Sequence, residues 1–438
     1  VNAFADLLHA PWWVGFFWGL GVLAFVTAIV SLFFSLGRRP PAVRTTATPA
    51  VDSPEFLSAA AGLVNGTLQK GGSARLLNNG DEIFPALLAD IGSARHSIHW
   101  LAYIWEPGRC SDEVFAALTE RARAGVEVRV LLDGVGGMRC PKEGREELKK
   151  AGGQVAVFRP LRFGKLTRVY RRNHRRAIVI DGAVGYTGGV AVGDKWLGDA
   201  RNPGEWRDTM TRVTGCLASD LQSLFAEDWA AVTGEILVGA GYYPDHEEPP
   251  ADGRPVLRHM TVASSPGSEQ HPMRFFFVLT FLAARRKLYI ASPYFVPDRH
   301  TREAVARLAR EGVDVRILLP NHHTDAKPIR QASHSYYDEL LSAGVRIWEY
   351  QPTMMHSKLT VVDGCWSVVG SANMDIRSKE LNEENALGVL DAELAAAIEA
   401  SFLADLARAR EVRLDQWRRR GLLPRVVERL CVMFAEQF

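Results

Sequence analysis

Two regimes of hydrophobic and polar positions alternate along most of the 438-residue chain. Short runs rich in β-branched and aromatic residues, bounded by turn formers, read as strands: residues 98–105, 126–132, 154–158, 288–295, 313–319 and 345–350. Between the strand-like runs, apolar residues recur at helical spacing. The pattern occurs twice. In one copy ARHSIHWLAYIWEP (94–107) leads through a helical stretch to AGVEVRVLLDG (124–134). In the other ARRKLYIASPYFVP (284–297) leads to EGVDVRILLPN (311–321). Strands that alternate with helices predict an α/β fold with sheets buried on both faces. Duplication of the unit predicts two such domains with a site at their junction.

The N-terminus breaks this rhythm. Residues 12–37 carry no charge, a run of 26 residues, whereas ~20 suffice for a helix to cross a hydrocarbon core. Trp12, Trp13 and Trp18 lie near one end and Arg38 and Arg39 close the other, as expected of a single transmembrane helix. Arg38, Arg39 and Arg44 follow the run and Asp6 precedes it, which places the bulk of the chain on the cytoplasmic side. The sequence thus divides into a membrane anchor (1–38), a Pro- and Thr-rich tether (39–75), a first domain (76–238), a linker (239–255) and a second domain (256–438). From residue 407 onward, arginines interleave with Leu, Val and Trp. This tail reads as basic amphipathic helix, its first part docked on the domain and its last part lying in the membrane interface.

Composition narrows the function. A formal net charge of +2 gives no global field for nucleic acid, so anions must be held by local patches. The basic stretch 159–176 is one such patch, suited to anionic head groups. Cys110, Cys140, Cys216, Cys365 and Cys431 lie far apart without a C-x-x-C pair, which argues against a zinc site or a disulfide framework.

The chemistry concentrates in two arrays. In the second half His356, Lys358 and Asp363 are followed by Gly370, Ser371 and Asn373. On an extended segment His356 and Lys358 project from one face. Lys358 can bind nonbridging phosphate oxygens, Ser371 and Asn373 add donors, and His356 can attack phosphorus or shuttle a proton. Phosphodiester chemistry needs one group to attack and another to protonate the leaving alkoxide. The first half supplies the second set: His174, Arg176, Asp181, then Gly188 and Gly189, at the same spacings.

These arrays resemble the paired H-x-K-x-x-x-x-D … G-[SG]-x-N motifs of the phospholipase D superfamily, from about Leu76 to the end of the chain. The context resembles the bacterial cardiolipin synthase family in Asn173-His174-Arg175, Trp206-Arg207-Asp208-Thr209, Pro293-Tyr294-Phe295-Val296-Pro297 and Asn373-Met374-Asp375. The resemblance implies duplicated α/β/α domains forming a pseudo-twofold sandwich, functional as a monomer. It also implies phosphatidyl transfer between anionic phospholipids, such as two phosphatidylglycerols, at a bacterial inner membrane. No metal or other cofactor is implied. One His would become a phosphohistidine while the other protonates the departing alcohol; family habit favours His174 as nucleophile. Asp208 and Glu384 are the candidates for orienting the imidazoles. Asp181 and Asp363, grouped with the catalytic residues, are usually structural in the superfamily. Two departures stand out: Arg176 where the family has Lys, and Ala191 where it has Asn. A phospholipase-type hydrolase, a superfamily nuclease and a membrane-bound binding protein with a decayed first half remain alternatives.

Overall fold

The computed structural model describes residues 11–22, 25, 43, 45–161, 171–245, 256–265 and 271–433. Among these residues the first half forms a seven-stranded sheet. Its spatial order is β2 (Ser73–Asn78), β8 (Thr209–Thr214), β7 (Val184–Gly188), β6 (Ala177–Ile180), β3 (Ser97–Ala102), β4 (Glu127–Asp133) and β5 (Gln154–Phe158). The second half forms a nine-stranded sheet. It starts with β1 (Gln69–Lys70), β9 (Arg258–Ser264), β17 (Glu384–Leu390), β15 (Trp366–Gly370) and β14 (Leu359–Val362). It continues with β10 (Lys287–Ala291), β12 (Asp314–Pro320), β13 (Arg346–Tyr350) and β18 (Ala409–Val412). Without its two edge strands, the second sheet repeats the first strand for strand. A two-stranded ribbon joins β11 (Phe295–Val296) to β16 (Met374–Asp375).

Period-two alternation sorts each strand's side chains between layers. In β3, Ile98, Trp100 and Ala102 face an outer core shared with helices Asn79–Ser93 and Arg109–Arg123, while Leu101 faces inward. In β10, Leu288 and Ile290 face the opposite outer core, and Tyr289 and Ala291 face inward. The inward sides of both sheets share one core with helices Cys216–Thr233 and Ala392–Ala407. Burial on both faces explains why these strands read as almost continuous apolar runs.

Two expectations need revision. The stretch 39–75, read as a tether, contains helix Pro54–Leu63, whose Phe56, Leu57 and Ala60 are buried in the second half's outer core. That helix opens on the Ser53 side chain, which accepts the Phe56 N–H at 3.1 Å. At the other end, Ala409–Val412 is an edge strand on β13, not the start of an amphipathic helix. The uncharged run 12–37 is expected to form one long membrane helix, and residues 12–22 are helical with Trp12, Trp13, Phe16, Phe17 and Trp18 exposed. Residues 23–24 and 26–37 lie outside the described residues; among those described, no helix is long and apolar enough to cross a membrane.

Candidate active site

The two histidines sit on extended segments that lead into β6 and β14, rather than inside those strands. Each segment is stitched to the other half. His174 donates its backbone N–H to Glu383 O at 2.9 Å, and His356 donates its own to Arg207 O at 2.7 Å. Those acceptors immediately precede the two candidate orienting carboxylates.

The side chains cross over in the same way. His174 Nδ1 is 2.9 Å from the Glu384 carboxyl, and His356 Nδ1 is 2.6 Å from Asp208 Oδ2. Each imidazole is therefore oriented by the opposite half through Nδ1, which turns both Nε2 atoms away from the carboxylates. All four groups are buried. Asp208 Oδ2 also accepts the Trp196 indole N–H at 2.9 Å. Glu384 accepts hydroxyl hydrogens from Ser371 at 2.5 Å and Ser378 at 2.8 Å.

The cations repeat the symmetry. Arg176 donates to His174 O at 2.7 Å and Lys358 donates to His356 O at 3.1 Å. Lys358 Nζ lies 3.2 Å from His356 Nε2. Arg176 Nε and Nη2 and Asn373 Oδ1 are buried polar atoms without a protein partner. Buried polar groups are nearly always satisfied, so these three atoms are open to a polar ligand. The Arg176 backbone N–H is held at 2.9 Å by Asn385 Oδ1, again from the opposite half.

Burial sets the protonation states. His174 is held well below its ordinary pKa by burial, with the charges of Arg176 and Lys358 adding to the effect. Burial and Lys358 also lower His356, but Asp208 opposes the shift. Lys358 is lowered to about 8 by burial. Burial raises Glu384 to about 8, against the hydrogen bonds from Ser371 and Ser378 and the charge on Arg176. At neutral pH the His174–Glu384 contact is thus a hydrogen bond involving an uncharged imidazole.

The glycines have steric reasons. Gly188 and Gly370 occupy matching positions with φ of +155° and +156°. A Cβ would lie 2.4 Å from Thr209 O at the first and 2.3 Å from Asn385 O at the second. At Gly189, where the second half has Ser371, a Cβ would lie 2.1 Å from Asp208 Oδ1. Gly189 therefore admits the Asp208 carboxylate, while Gly188 and Gly370 admit the backbone of the neighbouring strand; none offers a side-chain donor to substrate.

Asp181 and Asp363 do not join the histidines. Each lies at the far end of its motif strand, in the turn, with φ of 53° and 52°. Asp181 accepts backbone N–H groups of Arg95, His96 and Ser97 at 2.7–2.9 Å. Asp363 accepts those of Arg285, Arg286 and Lys287 at 2.8–2.9 Å. Both carboxylates fasten the start of the neighbouring central strand. Ala191 packs beside the first outer core, so the donor offered by Asn373 has no counterpart there.

Several neighbours escaped the sequence reading. Tyr103 meets His174 edge-on with ring centroids 4.7 Å apart, and Tyr294 lies 6.4 Å from His356. Both tyrosines follow the first central strand of their half, a signal available from aligning the repeats. The Tyr294 hydroxyl bonds Asp325 at 2.8 Å, which brings the loop after β12 to the site edge. In that loop the rings of His322 and His323 lie 4.1 Å apart, tilted by 37°. The basic stretch 159–176 is less free than its composition suggests. Arg159 pairs with Glu383, Arg172 with Asp133, and Arg175 with Glu227 and Asp228, while residues 162–170 lie outside the described residues.

Comparison with known proteins adds an independent line. The family model described as "Cardiolipin synthase, PLD-like domain" matches residues 87–198 and 279–406. Cardiolipin synthase 2 of Bacillus anthracis is 36% identical over 355 residues, covering 81% of this chain and 68% of that protein. The cardiolipin synthase of Geobacillus sp. (strain WCH70) is 37% identical over 355 residues, covering 81% and 70%. Phosphatidylserine synthase of Haemophilus influenzae Rd KW20 has a similar fold, with a TM-score of 0.66 over 87% of this chain and 98% of that one, at 16% identity. Polyphosphate kinase from Porphyromonas gingivalis also superposes, with a TM-score of 0.52 at 13% identity over 85% of this chain and 52% of that one. Its different chemistry means the fold alone does not specify a substrate.

Proposed function

This chain belongs to the cardiolipin synthase family of phospholipase D-like proteins, and on that premise we propose how its residues carry out phosphatidyl transfer. The chain is a phosphatidyltransferase of the cardiolipin synthase type. His174 Nε2 attacks the phosphorus of one phosphatidylglycerol. A P–N bond forms and the P–O bond to the head-group glycerol breaks, while His356 gives its Nε2 proton to the departing alkoxide. The terminal hydroxyl of a second phosphatidylglycerol then enters. His356 takes its proton, the new oxygen attacks phosphorus, and the P–N bond breaks to release cardiolipin. Free glycerol is the other product.

The carrying observation is the crossed pairing of the two buried imidazoles with Glu384 and Asp208. The roles follow from its asymmetry. A nucleophile must be uncharged, and His174 is held well below its ordinary pKa. A general acid must hold a proton, and although burial and Lys358 lower His356 overall, Asp208 opposes that shift and favours its charged form. Arg176, Lys358 and Asn373 would carry the nonbridging oxygens through their free or rotatable donors. The hydrocarbon-like run at residues 12–37 would anchor the enzyme at the cell membrane, its catalytic halves on the cytoplasmic side.

The test is incubation of the detergent-solubilised protein with phosphatidylglycerol alone, with lipid products identified by mass spectrometry. Cardiolipin and glycerol in equal amounts are expected. Phosphatidate as the sole product would replace transfer by hydrolysis. Full turnover in His174→Ala would sink the two-histidine mechanism.

A further inference from the structure

The C-terminal helix Leu422–Met433 is fastened along one edge only. Its Glu428 is buried and pairs with Arg420, while Cys431 and Val432 pack beside Ala332 and Val296. The other edge is bare: Leu422, Leu423, Val426, Val427 and Leu430 are 78%, 76%, 53%, 39% and 53% exposed. At 100° per residue these five cover an arc of about 140°, and Arg425 and Arg429 lie next to it.

Behind the helix is a cavity of about 460 Å³ lined by residues that include His334, Asp338, Trp417, Arg418, Arg420 and Arg425. Arg429 and Glu428 also line it, so four guanidinium groups face two carboxylates. Arg418 answers Asp338 and Arg420 answers Glu428. Arg429 has no hydrogen bond or ion pair among the described residues. An aliphatic edge beside surplus positive charge suits the level of a bilayer where acyl chains meet phosphates. The helix also rests on elements of the site. It packs on Lys327–His334, which begins two residues after Asp325, and on Val296, two residues after Tyr294.

We propose that Leu422–Met433 lies in the membrane interface, with its aliphatic edge in the acyl boundary and the arginine cavity holding the phosphate of an anionic phospholipid. This docking would turn the His356 side of the site toward the bilayer. The proposal deepens the phospholipid reading and rests on it for the choice of a lipid surface.

The test uses the full chain carrying an environment-sensitive fluorescent amino acid at position 426, reconstituted in vesicles of phosphatidylcholine with or without phosphatidylglycerol. Some lipids are brominated along their acyl chains. The probe reports only its own location, so anchoring elsewhere in the chain cannot imitate the signal. Quenching is expected in the phosphatidylglycerol vesicles, at least threefold weaker in phosphatidylcholine alone. The double substitution Arg425→Glu/Arg429→Glu should reduce it to the weaker level, with circular dichroism unchanged. A probe that stays in water on both vesicles overturns the proposal, as does equal quenching on both that the double substitution leaves intact. Burial of the probe before vesicles are added would assign the edge to a second copy of the chain. Saturation of the cavity by inorganic phosphate with an unquenched probe would assign it to a soluble anion. Both results overturn the docking. Turnover plays no part in the readout, so failure of the transferase reading would be seen separately in the product assay.

Discussion

At His356 the carboxylate of Asp208 stands 2.6 Å from Nδ1, whereas at His174 the longer Glu384 stands 2.9 Å away and is itself raised to about 8 by burial. A carboxylate that fixes an imidazole must be ionised to hold the Nδ1 hydrogen and leave Nε2 free to attack. Activity should therefore rise with pH until Glu384 loses its proton near 8, and fall where Lys358, lowered to about 8, loses its charge. A narrow bell in kcat/KM centred close to pH 8 is expected from a pH-rate profile. Lys358→Arg should carry its alkaline limb upward, because guanidinium keeps its charge; an unmoved limb would exclude Lys358 as its source. The same carboxyl has a stability signature. Its folded pKa lies above the unfolded value, so its contribution is complete below about pH 4.5 and is lost as pH rises toward 8. Glu384→Gln should thus melt a few degrees higher than the parent at pH 8, with the two converging near pH 4.5. It should also lose ~10²–10⁴-fold in kcat. Thermal scans at both pH values check the first part and steady-state rates the second. The two histidines and their cations could be read from the repeated spacing, and Asn373 from the second motif alone. Which carboxylate serves which imidazole could not, because the pairing crosses between halves 148 and 210 residues apart in sequence.

On the scale of elements, the motif aspartates and glycines hold strands in register. Asp363 gathers three backbone N–H groups where β10 begins, a position that controls where a central parallel strand starts. Losing such charge-assisted hydrogen bonds costs ~1.5–3 kcal/mol each at most, shared here among three. Asp363→Ala should therefore destabilise the protein by about 3 kcal/mol in denaturant titration and leave kcat/KM within about threefold of the parent below its melting range. A large fall in kcat with unchanged stability would return Asp363 to the chemistry. Gly189→Ser copies the second half's Ser371 but drives a Cβ to within 2.1 Å of Asp208 Oδ1. It should lower kcat by displacing Asp208 from His356, more than it raises KM. Strand positions were readable because residues buried on both faces leave runs such as Leu359–Val362 and Glu127–Asp133. The docking of Pro54–Leu63 on the second half was not, since Pro, Thr and Ala around it carry the composition of a loop. Nor was Ala409–Val412 as a strand, because its arginines continue the basic pattern of the tail and its pairing with β13 is tertiary.

For the whole molecule, the crossed pairs mean that neither half contains a working site, and the joint between them should also govern stability. Arg207 is central to that joint. Its guanidinium meets both Asp405 oxygens at 2.9 Å, donates to Ser401 Oγ at 2.6 Å and to Asn78 Oδ1 at 2.9 Å, while its backbone oxygen receives the His356 N–H. Asp405 is buried on helix Ala392–Ala407 of the second half, and burial raises its pKa even with Arg207 and Arg408 opposing. Removing Arg207 leaves that carboxyl without its main partner, which for a buried pair costs ~3–5 kcal/mol. The loss falls at the contact between halves, while each outer core keeps its own helices and strands. Arg207→Ala should therefore do more than lower the melting temperature. Calorimetry should show one cooperative transition in the parent and two resolved transitions in the variant, with the calorimetric enthalpy exceeding the van't Hoff value. Activity should disappear with the first transition, because it is the half-to-half contact that presents Asp208 to His356 and Glu384 to His174. A variant that unfolds in one step at the parental temperature would show that Arg207 does not couple the halves, and that the shared inner core alone holds the two imidazoles in place.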